Sequence, residues 1–335
     1  MPRKPRIEYA GAVYHVMNRG DRGRRVFLDR LDYELFMHAM DEVCERTGWR
    51  IHAYVLMPNH FHWLLETPEP NLVVGMKWFM GAVSQRSNGR HGKRGYVFQG
   101  RYKAPVVQSD RGGYFETVST YIHLNPVRAG LTGANAGMGE YEWSSYRKYR
   151  KPKQARTAWL EVDRVLGNLG LTDRASGRRK YAEYMEERAG EWRTKKGKKI
   201  FREMWKPIRY GWFVGEKGFK ETLLTHLGKA VDGKQRTSYA GEAIKTHGEA
   251  EAEKLIRAGL RTLGLRETDL RRLPKGHPHK CVLAWAAHRH TTVCHAWLSN
   301  RLNMGVTSNM SMYVSKAKAP QWKRLRNKVN MCLRK

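Results

Sequence analysis

The amino-acid sequence predicts an α+β fold over about the first 150 residues and a helical extension over the rest of the chain. Two patterns predict this division. Short β-branched and aromatic segments alternate with apolar stripes at helical spacing as far as Asn125, which is typical of strands and helices that share one core. Beyond Gly130 the apolar residues recur at helical spacing. The 335 residues, 41% of them hydrophobic, are enough for two domains.

The first two elements are predicted to be a strand and an amphipathic helix. Residues 10–17 form the strand, and a turn-rich basic loop at residues 18–23 ends it. Asp29 is typical of a helix N-cap. The helix runs to about Arg46 before Thr47-Gly48 closes it, and its apolar stripe consists of Leu35, Phe36, Ala39, Met40 and Val43.

A β-hairpin follows, with strands at residues 50–57 and 61–66 joined through Pro58-Asn59. Because side chains alternate along an extended segment, His60 and His62 point to one face and Phe61 to the other. Two adjacent imidazoles provide half of a metal site, which needs a third ligand from elsewhere. On spacing alone, two partly exposed polar residues are the commoner outcome.

The remaining elements of the N-terminal part complete a β-α-β-β-α-β order. Asn71 is predicted to cap a second helix that Asn88-Gly89 ends. Extended segments at residues 95–99 and 104–108 bracket a basic turn. This order is typical of a ferredoxin-like sheet with two helices on one face.

A third helix is predicted from near Asp110 to near Asn125, because Pro126 restricts the residue before it. Tyr121 lies at the margin of the buried side of this helix, and Asn125 lies one turn beyond it on the same face. A tyrosine in such a position is usually a core-edge residue with its hydroxyl in water. The residues that define the buried side are Phe115, Val118 and Ile122.

The C-terminal part is predicted to be helical and basic. Three short helices at residues 280–287, 291–302 and 308–316, with a tight turn at residues 303–305, have helix-turn-helix spacing. An ordinary three-helix bundle with a basic tail is the alternative. We predict domains at residues 1–150, 151–225 (a basic helical linker region) and 226–335, with possible DNA readers on the last of the three helices at Asn309, Ser311 and Tyr313.

Charge is the most decisive feature of the composition. The formal net charge of +32 predicts a polyanionic partner, and nucleic acid is the expected one. No apolar run approaches the ~20 residues of a membrane span, and the basic N-terminus has no apolar segment behind it, so we expect a cytoplasmic protein without a membrane partner. Four irregularly spaced cysteines indicate reduced thiols.

Four sequence motifs, in this order, resemble those of the REP-associated tyrosine transposases, which are relatives of the single-tyrosine HUH transposases. The resemblance covers roughly residues 5–150. The motifs are Tyr14-His15-Val16-Met17-Asn18-Arg19-Gly20, Met57-Pro58-Asn59-His60-Phe61-His62, Gly100-Arg101-Tyr102-Lys103 and Tyr121-Ile122-His123-Leu124-Asn125-Pro126-Val127-Arg128-Ala129-Gly130.

The resemblance implies a ferredoxin-like HUH catalytic domain that cleaves and rejoins single-stranded DNA at hairpin-forming repeats. It implies that His60 and His62 are metal ligands, that Tyr121 is the nucleophile, and that Asn125 matches the position completing the metal site in related enzymes, where a glutamine stands. Mg²⁺ or Mn²⁺ is the expected cofactor. Candidates for phosphate contacts beside these motifs are Arg19, Arg101, Lys103 and Arg128.

Several alternatives stay open from the sequence. Tyr114, seven residues before Tyr121, is the rival nucleophile. A non-catalytic DNA-binding regulator is the alternative from another class, and an RNA-hairpin nuclease or binder is a third. The related group favours a monomer, although dimers occur among the insertion-sequence enzymes.

Overall fold

The structure is a computed structural model that describes residues 6–111, 113–132, 137–231 and 242–332. The chain forms two compact units, one over Arg6–Leu223 and one that contains Leu224–Lys335. The division into three domains at residues 150 and 225 stays a prediction.

The first unit is an α+β structure. Its strands are β1 (Ala12–Arg19), β2 (Arg50–Met57), β3 (His60–Thr67), β4 (Val106–Val107) and β5 (Phe213–Val214). Its helices are α1 (Arg30–Thr47), α2 (Leu72–His91), α3 (Tyr114–His123), α4 (Asn125–Arg128), α5 (Tyr146–Tyr149), α6 (Asp163–Asn168), α7 (Ala175–Arg193), α8 (Lys195–Met204) and α9 (Lys206–Tyr210). Helix α10 (Lys217–Val231) follows, and short 3₁₀ turns lie at Asp21–Gly23, Met138–Glu140 and Lys153–Ala155.

The five strands form one sheet in the order β2-β3-β1-β4-β5. The pairs β2-β3, β3-β1 and β1-β4 are antiparallel, as the predicted ferredoxin-like order requires. Strand β5 lies parallel to β4 at the edge and was not predicted from the sequence. A two-residue strand is too short to display the alternation by which strands are recognised.

The two faces of the sheet carry different helices. On one face Phe61 packs with Phe36 of α1 and Phe79 of α2, with ring centroids 5.1 and 6.2 Å away. On the other face His62 lies against Tyr121 of α3, with ring centroids 5.6 Å apart. Strand β3 therefore separates a hydrophobic layer from a polar one, as the alternation of its side chains predicts.

The ends of the first two helices follow local chemistry. Asp29 caps α1 by accepting a hydrogen bond from the backbone N–H of Asp32, as predicted. Asn71 does not cap α2 through its side chain, because its amide bonds to the Trp49 indole N–H at 2.6 Å and to the Thr47 carbonyl at 3.0 Å. Helix α2 also continues past the predicted stop to His91, where Gly92 adopts a φ of 60°.

The predicted third helix is shorter than expected and is followed by a separate turn. Helix α3 begins at Tyr114, after Gly113 with a φ of 66°, rather than near Asp110. Asn125 begins the short helix α4 instead of ending α3. Pro126 fits there because the first turn of a helix does not use its backbone N–H groups.

The second unit is helical. Its helices are α11 (Glu242–Leu263), α12 (Asp269–Arg272), α13 (Pro278–His290), α14 (His295–Arg301), α15 (Met310–Lys316) and α16 (Lys323–Cys332), with 3₁₀ turns at Thr307–Asn309 and Pro320–Trp322. The three predicted helices correspond to α13, α14 and α15, and the turn between the last two contains Asn303 and Gly305 at positive φ. A DNA-docking helix-turn-helix stays a prediction. No helix in the described part of the chain combines the length and apolar character needed to cross a bilayer.

Lys280 holds that turn against the core of the second unit. Its ammonium group is fully buried and donates to the carbonyl oxygens of Leu270, Leu273 and Asn303, at 3.1, 3.3 and 2.7 Å. Leu270 lies in α12, Leu273 is the residue that follows this helix, and Asn303 lies in the turn after α14. One side chain therefore connects α12, the segment after it and the turn before α15.

We expect Lys280→Met to lower the free energy of unfolding by about 2 kcal/mol, because it leaves buried carbonyl groups without a donor. Urea denaturation followed by tryptophan fluorescence measures the change. Lys318→Met, at an exposed position of the same unit, is the control and should change stability by less than about 0.5 kcal/mol. Equal stabilities for the two variants would contradict this role of Lys280.

Candidate active site

The two histidines of the hairpin lie on one face of β3, next to the end of β1. His60 is paired with Arg19 across β1 and His62 with Met17. The two imidazole rings are perpendicular, with centroids 5.0 Å apart. The extended backbone thus presents them side by side, as their spacing predicts.

A third histidine, His15 of β1, joins this pair. Its Nε2 lies 2.9 Å from Nδ1 of His62, and their ring centroids are 5.0 Å apart. His15 is fully buried, and its other nitrogen, Nδ1, has no hydrogen-bond partner. We did not predict this contact from the sequence, although the antiparallel register makes His15 a diagonal neighbour of His62 on the same face.

All three imidazoles are held in the neutral form. Burial, together with the nearby charges of Arg19 and Arg128, lowers the pKa of His60 to about 4. Burial lowers the pKa of His15 to about 3 and, with the neighbouring histidines, holds that of His62 well below its ordinary value. Neutral imidazole is the form that can bind a metal ion.

Tyr121 of α3 meets this histidine cluster edge-on. Its ring centroid is 5.6 Å from that of His62 and 5.6 Å from that of His15. The tyrosine is only 6% exposed, so its side chain is buried rather than at a wet core edge. The rival Tyr114 lies about two helical turns away, roughly 10 Å along the axis.

Asn125 and Arg128 of α4 lie next to Tyr121. The Asn125 amide donates to the Tyr121 carbonyl oxygen at 2.9 Å, and its Oδ1 accepts from Arg128 at 3.1 Å. The Arg128 guanidinium stacks over the Tyr121 ring, with Cζ 4.5 Å from the centroid. Arg128 is therefore part of the site, whereas Arg19, Arg101 and Lys103 are exposed.

Two tryptophans cover the outer side of Tyr121 and Arg128. Trp205, between α8 and α9, makes an edge contact with the Tyr121 ring at 5.1 Å and lies 4.8 Å from the Arg128 guanidinium. Trp192 of α7 lies 5.3 Å from the same guanidinium. Neither was predicted, because both come from the region interpreted as a linker, about 70 to 85 residues beyond Tyr121.

The residues present offer two nitrogen ligands to a divalent metal. His60 Nδ1 lies 2.7 Å from Asn59 Oδ1, and His62 Nδ1 is occupied by His15, which leaves Nε2 of each ring for a metal. Further donors would be Asn125 Oδ1, a DNA phosphate or water. Within the described residues, no group of three or more His, Cys, Asp or Glu side chains is placed to hold a metal.

The predicted DNA contacts fall into two groups. Arg19 and Lys103 are at the same end of the sheet. Lys103 is paired with Met17 of β1, and Arg19, two residues further along β1, is paired with His60 of β3. In the second unit Asn309 is exposed, whereas Tyr313 packs against the helical core.

Part of the sheet-bearing unit is similar to known proteins. Residues 8–125 match the family model described as "Transposase IS200 like". One similar solved structure is described as "Structure of the REP associates tyrosine transposase bound to a REP hairpin"; it is 16% identical, with a TM-score of 0.38, over 48% of this chain and 98% of that one. The comparison with curated proteins gives no match.

Proposed function

We propose that the chain, whose residues 8–125 match the family model described as "Transposase IS200 like", is a metal-dependent single-strand DNA endonuclease and strand transferase that acts at hairpin-forming repeats. The observation that carries the proposal is the contact of Tyr121 with His62, on the face of the sheet that also carries His60. A phenol can act as the nucleophile, and two neutral imidazoles beside it can hold a metal ion that polarises a phosphate.

Tyr121 is the nucleophile in this proposal. Its phenol oxygen attacks the scissile phosphorus, the P–O3′ bond breaks, and the products are a 5′-phosphotyrosine link and a free 3′-hydroxyl. The phenol proton is lost to solvent as the new O–P bond forms, and the leaving 3′-oxygen takes up one proton, so the step is balanced. Because the number of phosphoester bonds is unchanged, a 3′-hydroxyl can later attack the phosphotyrosine and restore the strand.

His60 and His62 would hold the metal through Nε2, with Asn125 Oδ1 as the candidate third ligand. A bound Mg²⁺ or Mn²⁺ supplies positive charge that polarises the scissile phosphate. Neutral imidazole ligands leave that charge undiminished. Arg128 adds a fixed positive charge against the Tyr121 ring, where it can bind the phosphate as charge accumulates on its oxygens.

A second candidate function is a non-catalytic regulator that binds hairpin DNA. The near-complete burial of the Tyr121 side chain, with its ring against Trp205, favours it, since little of the tyrosine is open to a DNA strand. The bond from Arg128 to Asn125 Oδ1 also competes with metal ligation by that oxygen. A covalent adduct with DNA would exclude this candidate.

We expect Tyr121→Phe to abolish nicking of a hairpin-bearing single-stranded oligonucleotide, because the phenol oxygen is lost while the ring packing is kept. Binding of the same oligonucleotide should not change. Denaturing gel electrophoresis of the protein–DNA adduct measures nicking, and a mobility-shift titration measures binding. Tyr114→Phe is the matched control and should nick normally; full cleavage by Tyr121→Phe would remove its assigned role.

His60→Ala should raise the Mn²⁺ concentration needed for half-maximal cleavage by at least about tenfold, because one of two nitrogen ligands is lost. The cleavage rate is measured as a function of Mn²⁺ concentration. His38→Ala, at an exposed histidine of α1, is the control. An unchanged Mn²⁺ titration for His60→Ala would show that His60 is not a ligand.

Lys103→Ala should lower the affinity for hairpin DNA and reduce the slope of log K against log salt by about 1, as expected for one lost phosphate contact. Binding is measured at several salt concentrations. Lys180→Ala, at an exposed position of α7, is the comparison. Equal losses for both lysines would mean that general charge, rather than this end of the sheet, binds the DNA.

A further inference from the structure

The Nδ1 atoms of the two candidate metal ligands have different partners. For His60 the partner is Asn59 Oδ1 at 2.7 Å, and the Asn59 amide nitrogen donates to the Gly23 carbonyl at 3.2 Å. That second bond fixes which end of the amide faces His60. Since an amide oxygen only accepts, His60 Nδ1 carries a proton and Nε2 has a free lone pair.

For His62 the partner is Nε2 of His15, and in a hydrogen bond between two neutral imidazoles either ring can be the donor. If His15 donates, His62 is protonated at Nε2 and cannot bind a metal through that atom. If His62 donates from Nδ1, its Nε2 lone pair is free, and the proton of His15 is on Nδ1. The identity of the donor in this hydrogen bond therefore decides whether His62 can bind a metal.

We propose that His15 is a positioning residue that accepts a hydrogen bond from Nδ1 of His62 and thereby presents Nε2 of His62 to a divalent metal. This inference rests on the proposed function and deepens it. Asn59 does the same for His60, so both candidate ligands are held in one tautomer by residues that do not themselves bind the metal. Neutral imidazoles oriented through their second nitrogen are the usual arrangement of histidine metal ligands.

The surroundings of His15 also favour this role over simple packing. Its neighbours Tyr14 and Val16 on β1 are buried like it, but they point to the opposite face. On its own face His15 contacts both His62 and Tyr121, the two groups that must be arranged for the reaction. A buried imidazole with an unpartnered Nδ1 is a poor choice for filling space alone.

Two substitutions separate the hydrogen-bond role from ring volume. His15→Phe keeps a ring of similar size but removes the acceptor. His15→Gln places a carbonyl oxygen near the former Nε2 and keeps an acceptor for His62. Mn²⁺ binding to the full-length, DNA-free protein is measured by electron paramagnetic resonance, so that the result does not depend on cleavage.

We expect His15→Phe to weaken Mn²⁺ binding about 10- to 100-fold and His15→Gln to bind within a few-fold of the wild-type protein. Unchanged binding by His15→Phe overturns the inference. Equal losses in both variants overturn it as well, since the acceptor would then not be what matters.

A second measurement uses the wild-type protein and does not depend on the folding of a variant. Nitrogen-15 NMR of the imidazoles, without metal and with Mg²⁺, should find the His62 proton on Nδ1. A proton on Nε2 in both states overturns the inference.

The proposed function can fail separately. If the wild-type protein binds no Mn²⁺, the metal site and the role of His15 both fall. If Mn²⁺ binds and depends on the acceptor at residue 15, but no tyrosine–DNA adduct forms, the role of His15 stands and only the strand-transfer activity falls.

Discussion

The antiparallel pairing of β1 with β3 is the constraint on which the rest of the structure depends. It places His15, His60 and His62 on one face of the sheet and Phe61 on the other. A register shift of one residue would exchange the two faces. Phe36 and Phe79 pack against Phe61 and oppose such a shift, so the hydrophobic layer on one side fixes the polar site on the other.

The first four strands, α1, α2 and the histidine pair could be predicted because each depends on patterns within a few residues. Alternation along β3 is enough to place His60 and His62 on one face. The contacts of His15, Arg128, Trp192 and Trp205 could not be predicted in this way. They depend on strand register or on the return of distant helices, which neither periodicity nor charge specifies.

The position of Tyr121 illustrates the limit of local patterns. Helical spacing places it correctly at the margin of the buried side of α3, where the tyrosine ring is expected at the edge of the core. Trp205 and Arg128 instead cover its ring, because the region beyond residue 151 folds back into the sheet-bearing unit. Local sequence therefore located the residue, and tertiary packing determined its environment.

The free-energy cost of burying His15 indicates that the histidine cluster has a function beyond packing. Burying an unpartnered polar group costs about 1–3 kcal/mol, and His15 Nδ1 is such a group. An aliphatic side chain would fill the same position without that cost. A module that only binds DNA through exposed cations has no use for a buried imidazole pair, whereas a metal ligand needs one nitrogen held and the other left free. Exceptions to the rule that buried polar atoms are hydrogen-bonded occur mainly at functional sites. His15 is such an exception: its Nδ1 has no partner, while its Nε2 contacts His62 at the proposed metal site.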